Sequence, residues 1–399
     1  MPQVTILQVV PRLETGGSEL TTIEIAEALT RAGATALVAT EGGRMAKTVL
    51  QAGGEIIPMP VASKNPLTML ANARKLTRLI EARGVDLVHA RSRAPAWSAF
   101  LAARWTKRPF VTTYHGAYTS PGPFKALYNS IMGRGDLVIA NSLYTAGLIA
   151  GRQHVAEDRI RVIYRGLDSS VFDPLMVPPG PVNALRRRWG VTPETRIVLH
   201  AARISGIKGQ RQTIQAASRL DQEGALKGCC VILAGDAPRK AAYREELLDL
   251  IARNRLEDKV RLVGHCGDMP VAFLAADLAL VPSLVAETFG RTSIEAQAMG
   301  CPVIVSDLGA LPETIDGGDR FTGWCVPPGD TEALAACIKH ALSLSPSERA
   351  EIGARGRARV VALFELSQMQ AKTLAVYDEL LGTKLMELYE NPPTYAAEP

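Results

Sequence analysis

Two glutamates in one short segment are the first candidates for chemistry in this sequence. The segment "AETFGRTSIEAQAMG" covers residues 286–300 and holds Glu287 and Glu295, with seven residues between them. On one helix, eight positions would separate the two carboxylates by about 80° around the axis and roughly 12 Å along it, which is poor geometry for a shared task. If a helix begins near Arg291 instead, Glu287 lies in the loop before it and Glu295 lies inside it. Both side chains could then face a ligand at the helix N-terminus.

Two cationic residues follow a predicted strand further upstream, in the segment "ARISGIKG". Arg203 comes directly after that strand, and Lys208 stands where the next helix should begin. An arginine and a lysine so placed can converge on one anion, and together with a helix N-terminus they form a site for a diphosphate. The alternative is that both are ordinary solvated charges.

Three further candidates stand at the ends of predicted strands in the first half of the chain. Gly16 and Gly17 follow the first strand, His115 follows "FVTTY", and Arg165 follows "RVIY". The glycines could simply form a tight turn before the helix cap at Ser18, and His115 could be a core histidine. Neither G-x-G-x-x-G nor a phosphate-binding P-loop motif is present, so these glycines do not predict a dinucleotide or a nucleoside triphosphate site.

Short apolar runs alternate with amphipathic helical segments along most of the chain. Near-continuous apolar strands separated by helices predict parallel sheets that are covered on both faces. The predicted strands are 4–10, 36–40, 55–60, 85–90, 110–115, 136–141 and 159–164, then 196–202, 229–235, 260–265, 278–283, 301–307 and 322–328. Ligands bind beyond the carboxyl ends of such strands, which is where the candidate residues fall.

The proline-rich stretch between the two series of strands predicts a two-domain chain. The fold class is α/β, with two doubly wound Rossmann-like domains facing each other across an interdomain cleft. The predicted parts are a first domain (1–175, joined by a C-terminal helix at about 367–385), a linker (176–190), a second domain (191–366) and a loose tail (386–399).

Composition indicates a globular protein with large cores. Of 399 residues, 47% are hydrophobic and 21% are charged, and no apolar run approaches the roughly 20 residues needed to span a bilayer. The N-terminus has no basic start and no cleavage site, so we expect a cytoplasmic protein. All six cysteines lie beyond residue 228 without a C-x-x-C pair, so we expect buried free thiols and no metal site.

Positive charge is concentrated in the first half of the chain. Residues 1–175 carry 20 Lys/Arg and 13 Asp/Glu, a net charge of +7, whereas the remainder has a net charge of −2. This basic half could dock on the anionic inner leaflet of a membrane, or its charges could form a solvated helix face. Its basic residues are not interleaved with aromatics, so no nucleic-acid partner is expected. The residues concerned are Lys64, Arg74, Lys75, Arg78, Arg83, Arg104, Lys107 and Arg108.

The segment 282–315 resembles the E-x7-E signature of the family 4 retaining glycosyltransferases, which have the GT-B fold. "GGSEL", "TTYHGAY", "IANS", "VIYRGLDSSVF" and "AARISGIKG" are similar to the other landmarks of that family in order and spacing. The resemblance spans roughly residues 4 to 381. "HARSRAPAWSAFLAAR" together with "YHGAY" is most similar to bacterial enzymes of lipopolysaccharide core assembly.

The resemblance implies an enzyme that moves a hexosyl or N-acetylhexosaminyl group from a nucleotide-diphosphate sugar to a glycan or lipid-linked acceptor. The nucleotide sugar is a co-substrate, and no cofactor is implied. The first domain would bind the acceptor, and the second would bind the donor. The protein would be cytoplasmic and in peripheral contact with the inner membrane, where it would build lipopolysaccharide or another cell-envelope glycan.

The resemblance also implies roles for individual residues. Glu295 would bind the ribose hydroxyls, and Glu287 would hold the sugar ring together with the backbone N–H groups of Phe289 and Gly290. Arg203 and Lys208 would take the diphosphate. The implied catalytic set is His115, Arg203, Lys208 and Glu287, the further donor-binding residues are Gly16, Gly17, Phe289, Gly290, Arg291, Thr292 and Glu295, and the acceptor side has Glu19, His115 and Arg165.

Two positions depart from the family pattern, and two other functions stay open. Arg291 stands where an apolar residue is common in the family, and Arg165 replaces a common asparagine.

No Asp-x-Asp motif is present, and fixed cations with a helix dipole could stabilise a leaving phosphate without a metal. The resemblance implies a reaction that retains configuration by attack on the face that the leaving group occupies. The alternatives are a sugar-nucleotide epimerase of the same fold and a non-catalytic sugar-nucleotide-binding protein.

Overall fold

The chain forms two compact units in the computed structural model, which describes residues 3–14, 16–118, 122–236 and 241–392. The first unit is Met1–Gly166 with Ser367–Pro399, and the second is Leu167–Leu366. The predicted first domain extends to residue 175, but the chain enters the second unit at Leu167. The reason is local packing: Leu167 pairs with Glu365, and the Arg357 guanidinium contacts Asp173 at 3.2 Å.

The first unit is built on one parallel sheet of seven strands in the order β3-β2-β1-β4-β5-β6-β7. Its strands are β1 (Thr5–Val9), β2 (Thr35–Thr40), β3 (Glu55–Pro58), β4 (Leu87–Ala90), β5 (Phe110–Tyr114), β6 (Leu137–Ala140) and β7 (Ile160–Val162). Its helices are α1 (Gly17–Arg31), α2 (Ala46–Gln51), α3 (Pro66–Arg83), α4 (Arg93–Trp105), α5 (Pro123–Ser130), α6 (Leu143–Gln153), α14 (Leu366–Leu381) and α15 (Leu385–Glu390).

Local sequence signals explain where the helices of this unit begin and end. Helix α3 starts at Pro66, whose fixed φ suits the first helical position, and the Asn65 side chain accepts hydrogen bonds from the next free backbone N–H groups. It ends at Gly84, which takes the left-handed conformation at φ 58°. The strands are buried along their whole length where helices cover both faces, as in β1, β4 and β5.

The C-terminal helices pack on the first unit through polar contacts as well as apolar ones. Tyr377 Oη lies 2.7 Å from His89 Nδ1 in β4, and Gln370 Nε2 donates to the Glu24 carbonyl at 2.7 Å. The predicted loose tail (386–399) differs from the structure over 386–390. These residues belong to helix α15, which forms because Leu385 and Tyr389 are buried. Residues 393–399 of the predicted tail lie outside the described residues.

The second unit contains a parallel sheet in the order β10-β9-β8-β11-β12-β13. Its strands are β8 (Arg196–Ala201), β9 (Cys229–Ala234), β10 (Val260–Gly264), β11 (Leu278–Val281), β12 (Val303–Ser306) and β13 (Gly323–Val326). Its helices are α7 (Pro179–Arg188), α8 (Gln210–Gln222), α9 (Ala241–Arg253), α10 (Met269–Leu274), α11 (Arg291–Ala298), α12 (Thr331–Ser343) and α13 (Pro346–Leu363).

The predicted linker is not an irregular segment. Helix α7 occupies most of 176–190, because its prolines stand in the first turn, where a missing N–H costs nothing. Leu185 and Trp189 are buried, and Arg186 Nη1 donates to the Ala275 carbonyl at 2.8 Å. The prolines therefore start a helix that belongs to the second unit.

Both sheets confirm the prediction of two doubly wound Rossmann-like units. In each sheet the strand order reverses once, between β1 and β4 in the first unit and between β8 and β11 in the second. The crevice beyond the carboxyl ends of strands at such a reversal is where doubly wound sheets bind ligands. The loops that follow β8 and β11 flank this point in the second unit.

Burial of the cysteines differs in part from the prediction. All six are free thiols, and Cys229, Cys230, Cys266 and Cys301 are buried as expected. Cys325, in the edge strand β13, is exposed, and Cys337, in α12, is half-buried. Across the described residues, no helix is long and apolar enough to cross a bilayer.

Candidate functional site

An ion pair joins the two loops at the strand reversal of the second unit. Lys208 Nζ, in the loop after β8, donates to Glu287 Oε1, in the loop after β11, at 2.8 Å. Ser283 Oγ donates to the same carboxylate oxygen. Both charged side chains keep about a fifth of their surface exposed, 24% for Lys208 and 21% for Glu287. They are therefore fixed in position and still within reach of a ligand.

The backbone holds these two loops at close range. Leu284 N donates to the Ile207 carbonyl at 2.9 Å, which ties one loop to the other. Next to Lys208, Gly209 has φ 82°, and a Cβ there would stand 2.0 Å from the Pro282 carbonyl oxygen. Only glycine fits this approach, so the loop that carries Lys208 depends on the glycine that follows it.

Arg203 occupies the first part of the same loop but makes different contacts. Gln210 Nε2 donates to the Arg203 carbonyl at 3.0 Å and fixes the backbone. The guanidinium is exposed, and within the described part of the chain it pairs with no carboxylate. The structure thus leaves one fixed cation, Lys208, and one solvent-facing cation, Arg203, in the loop after β8.

Helix α11 begins at Arg291, which confirms the predicted helix start and separates the two glutamates as expected. Glu287 lies in the preceding loop, where its carbonyl accepts from Ala310 N at 2.9 Å. Glu295 lies inside the helix with a side chain that is only 14% exposed. Gly290 precedes the helix at φ 154°, and a Cβ there would stand 2.8 Å from the Leu311 side chain.

Glu295 is a nearly buried carboxylate that is held by one cation. Arg291 Nε donates to Glu295 Oε1 at 2.7 Å, one helical turn away. Burial raises the pKa of Glu295, whereas the charge and hydrogen bond of Arg291 act in the opposite direction. Arg291 therefore favours the ionised form of a carboxylate that its surroundings would otherwise protonate.

We expect Arg291→Leu to destabilise the protein more at about pH 8 than at about pH 4. The substitution removes the compensating cation, so the pKa of Glu295 in the folded state rises further above its unfolded value. Stability is then lost as pH rises through that folded pKa, because the folded protein must either bury an unpaired charge or bind a proton. The expected loss at the higher pH is about 1–3 kcal/mol, measured by urea unfolding.

Arg219→Leu is the matched control for this prediction. Arg219 and Glu223 form the same i,i+4 pair at 3.5 Å, but both side chains are well exposed. An exposed pair contributes at most about 1 kcal/mol, so the control should change less at both pH values. Equal losses for the two variants, or a loss that does not depend on pH, would contradict a compensating role for Arg291.

A buried polar network positions α11, and residue spacing alone does not reveal it. Thr314 Oγ1 donates to Ser293 Oγ at 2.8 Å, and Gln297 Nε2 donates to the Thr314 carbonyl at 2.9 Å. All three side chains are buried. The helix that carries Glu295 is thus anchored on the side opposite Arg291 and Glu295.

In the first unit, the structure brings together three residues that were singled out at strand ends. Arg165 Nη2 lies 3.0 Å from His115 Nδ1, and a Cβ on Gly17 would stand 1.6 Å from Arg165 Nη1. The guanidinium therefore lies against Gly17, where no side chain would fit. Nearby, Glu19 Oε2 accepts from Ser18 Oγ at 2.6 Å, and a Cβ on Gly16 would stand 2.5 Å from this oxygen.

His115 is neutral in this arrangement. Burial and the neighbouring guanidinium groups of Arg165 and Arg91 hold the pKa of His115 well below its usual value. Because arginine can only donate, Nδ1 must accept, and the ring proton is assigned to Nε2. His115 can therefore donate a hydrogen bond through Nε2 at neutral pH without carrying charge.

Arg91 is a residue that the sequence reasoning missed. It follows β4 at the strand reversal of the first unit and is only 1% exposed. Its Nε and Nη2 both donate to Gln8 Oε1, at 2.9 and 2.7 Å. An arginine directly after an apolar strand was the available signal, but its partner in β1 is 83 positions away along the chain. Within the described ranges, no group of three or more His, Cys, Asp or Glu residues could hold a metal ion.

Comparison with known proteins assigns the class. A family model described as "Glycosyltransferase Family 4" matches residues 15–171, and one described as "Glycosyl transferases group 1" matches residues 182–359. The crystal structure of a glycosyltransferase from Rickettsia africae is 35% identical, covers 96% of this chain and 100% of that one, and gives a TM-score of 0.88. The chain has the GT-B fold, and it belongs to the glycosyltransferases.

Two further relatives have more specific descriptions. The Anabaena protein HepE, solved in complex with UDP-glucose, is 26% identical with a TM-score of 0.79, over 95% of this chain and 100% of that one. The D-inositol 3-phosphate glycosyltransferase of Mycobacterium tuberculosis is 29% identical over 256 residues, which are 63% of this chain and 50% of that protein. The chain thus spans about half the length of the curated relatives that it matches.

Proposed function

We propose that this chain is a family 4 retaining glycosyltransferase that moves a sugar from a nucleotide-diphosphate sugar to a glycan or lipid-linked acceptor. The observation that carries the proposal is the contact of Lys208 with Glu287 across the two loops at the strand reversal of the second sheet. Helix α11 starts directly after the second of these loops and carries Glu295. Complexes of the relative HepE with UDP-glucose support a nucleotide-sugar donor.

The cations of the second unit would hold the diphosphate. The Lys208 ammonium has three N–H donors and uses one of them on Glu287, so it can also bind a phosphate oxygen. Arg203 adds a planar guanidinium, and the start of α11 adds backbone N–H groups and the positive end of the helix dipole. These groups would stabilise the charge on the departing phosphate, so the proposed reaction needs no metal.

The two glutamates would bind different parts of the donor. Glu287 would hold the sugar ring together with the backbone N–H groups of Phe289 and Gly290. Glu295 has one carboxylate oxygen on Arg291, and its other oxygen would accept from the ribose hydroxyls. Arg291 therefore acts as a positioning residue for Glu295, and Thr292 stands beside it in the first turn of α11.

The first unit would contribute the acceptor side, with Glu19, His115 and Arg165, whereas its Gly16 and Gly17 would bind the donor. Neutral His115 would donate through Nε2 to a hydroxyl of the sugar or the acceptor. It would not act as the base, because its pKa lies well below its usual value and the Arg165 guanidinium occupies Nδ1. In a retaining transfer, the departing phosphate would take the acceptor proton. We propose a hexosyl or N-acetylhexosaminyl transfer in lipopolysaccharide or other cell-envelope glycan synthesis.

A donor panel tests this function directly. The purified chain is mixed with nucleotide sugars that differ in base and sugar, and thermal shift and release of nucleoside diphosphate are measured. We expect one base to stabilise the chain more than the others and its sugar conjugate to be slowly hydrolysed. Glu287→Gln should keep most of the stabilisation and lose hydrolysis. Failure of every nucleotide sugar to stabilise the wild-type chain would contradict the proposal.

We also propose that the enzyme works at the cytoplasmic face of the inner membrane in contact with anionic lipid. Three of the predicted basic residues are held by acids: Arg83 by Glu55, Arg104 by Asp136 and Arg108 by Asp86. The other five of these eight basic residues are exposed and have no carboxylate partner among the described residues. They are Lys64, Arg74, Lys75, Arg78 and Lys107. Each cation near an anionic surface contributes about 1 kcal/mol, so these five are the electrostatic contact.

Charge reversal at Arg74, Lys75 and Arg78 is expected to weaken binding to anionic vesicles by about 100-fold or more, because three favourable charges become unfavourable. Donor binding should stay unchanged, since these residues lie on α3 and belong to neither of the loops that carry Lys208 and Glu287. Co-sedimentation with vesicles and calorimetry with the nucleotide measure the two properties separately. Equal sedimentation of wild type and variant would count against the membrane contact.

A further inference from the structure

An apolar groove lies on the first unit between helices α3, α4 and α5. Its volume is about 330 Å³, and its walls include Met69, Leu70, Trp97, Leu101 and Tyr128. Lys64 stands at its edge. The groove is separate from the cluster of Gly17, His115 and Arg165, none of which lines it.

Large apolar side chains project around this groove instead of packing inside the unit. The exposed fraction is 88% for Phe124, 79% for Leu67 and 56% for Leu127. Asn129 is the buried residue of α5, so the apolar residues of this helix do not serve its own packing. A concentration of exposed apolar side chains marks a contact surface for another partner.

Polar contacts hold α5 in this orientation. Arg93 Nη1 donates to Asn129 Oδ1 at 2.7 Å, and the Arg93 guanidinium stacks on the rings of Tyr118 and Tyr128. Trp97 Nε1 donates to the Tyr128 carbonyl at 3.3 Å. The helix is thus fixed by α4 with Phe124 and Leu127 turned outwards, and this arrangement is built into the unit.

The charge around the groove has one sign. Residues 56–80 and 87–135, which supply α4, α5 and most of α3, contain no Asp or Glu. Lys64 and Lys125 stand beside the apolar residues, and Arg74, Lys75 and Arg78 continue along α3. An apolar surface with aromatic residues at its margin and cations around it matches the layers of an anionic bilayer.

We propose that this face inserts into an anionic bilayer, with Phe124 and Leu127 among the acyl chains, one acyl chain in the groove, and Lys64 and Lys125 on lipid phosphates. The inference deepens the peripheral contact proposed above, because it adds an apolar component that charge alone does not supply. Its occupant is the membrane lipid itself. It predicts that part of the membrane affinity survives high salt, since apolar burial is not screened.

Depth-dependent quenching is the direct test. Phe124→Trp places a fluorophore at the proposed point of insertion, and Leu175→Trp is the control at a side chain that is 91% exposed on the second unit. Both variants are mixed with vesicles of phosphatidylglycerol and phosphatidylcholine whose acyl chains carry bromine. The signal of the four native tryptophans, which include Trp97 in the groove, is measured in the wild-type chain and subtracted. We expect the added tryptophan at position 124 to be quenched and shifted to the blue, and the one at position 175 to show neither change.

Polar substitution tests the same contact by affinity. Phe124→Ser and Leu127→Ser should each lower vesicle affinity about tenfold, because one large apolar side chain is no longer buried, and Leu175→Ser should not. Nucleotide-sugar hydrolysis in solution should be the same in all three variants and serves as the measure of folding.

Two outcomes would overturn the insertion, and a third bears only on the proposed enzyme activity. Binding that salt abolishes fully and that Phe124→Ser leaves intact would show an electrostatic contact alone. Self-association of the wild-type chain that Phe124→Ser removes, without quenching by brominated lipid, would show that a second copy covers the face. Failure of nucleotide-sugar binding would contradict the proposed enzyme activity, but it would not change what the quenching result says about membrane insertion.

Discussion

Lys208→Ala is expected to lower the affinity of the chain for its nucleoside diphosphate by about 30- to 100-fold, which corresponds to one strong charge-assisted hydrogen bond. Lys208 Nζ donates to Glu287 Oε1 at 2.8 Å. This contact lies at the strand reversal of the second sheet, where the diphosphate is proposed to bind. The substitution removes the cation and also leaves Glu287 without its countercharge. The remaining carboxylate would then repel the incoming phosphates, so the loss should exceed that of a single hydrogen bond to a neutral donor.

A double variant separates these two contributions. In Lys208→Ala with Glu287→Gln the repelling charge is gone, so affinity should recover by about tenfold relative to Lys208→Ala alone. Lys339→Ala is the matched control, since it removes an exposed ion pair with Glu223 on the second unit at 2.7 Å. Titration calorimetry with the nucleoside diphosphate measures these three variants and Glu287→Gln alone, which completes the double-mutant cycle. Additive losses in the double variant would show that Lys208 and Glu287 do not act on the same ligand.

Glu295→Gln is expected to lower the affinity for a ribonucleoside diphosphate by about 30-fold, because two hydroxyl groups lose a charged acceptor. Glutamine keeps the size of the side chain and removes the charge that Arg291 stabilises at 2.7 Å. The wild-type chain should bind the 2′-deoxy analogue more weakly than the ribonucleotide, and the variant should bind both about equally.

This comparison gives the Glu295 prediction its specificity. A variant that had merely lost local packing would bind both nucleotides more weakly and would keep the preference for ribose. Glu332→Gln is the matched control, because Glu332 pairs with Arg219 on the surface and its side chain is 76% exposed. The control should keep both the affinity and the preference, and the ratio of the two dissociation constants is the quantity to compare.

Local patterns made much of the second unit's site predictable. The hypothesis that Glu287 and Glu295 face one ligand required a helix start near Arg291, and α11 begins there. Residues at strand ends lie at one edge of a parallel sheet by construction, so Arg203, Lys208 and Glu287 could be assigned to that edge before any contact was known. The alternation of strands and helices likewise predicted both sheets.

Contacts between distant residues could not be predicted in this way. The sequence analysis placed Arg83, Arg104 and Arg108 among the basic residues that could contact a membrane. In the structure, each of the three forms an ion pair with a carboxylate that is distant in the sequence. The pairing of Arg91 with Gln8 and the packing of Tyr377 on His89 depend on strand order and on the return of the chain to the first unit. The spacing of residues in one sequence does not reveal such pairs, because they form only when distant parts of the chain pack together.

Prolines and the C-terminal tail show a second limit of the sequence. The three prolines in 176–190 indicated an irregular linker. All three stand at or before the first turn of α7, a position that tolerates proline. Two buried residues, Leu385 and Tyr389, do not make a recognisable helical pattern of apolar positions in the sequence. Their burial nevertheless stabilises the helix at 385–390. Short helices of this kind depend on what they pack against and only weakly on their own propensities.

A crystal structure with the nucleotide sugar that stabilises the chain most would show where the donor binds. We expect diphosphate oxygens within about 3 Å of Lys208 Nζ and of the Arg203 guanidinium, with the ribose hydroxyls on Glu295. A nucleotide bound elsewhere on the chain, with Lys208 still on Glu287 and Arg203 turned to solvent, would contradict this expectation.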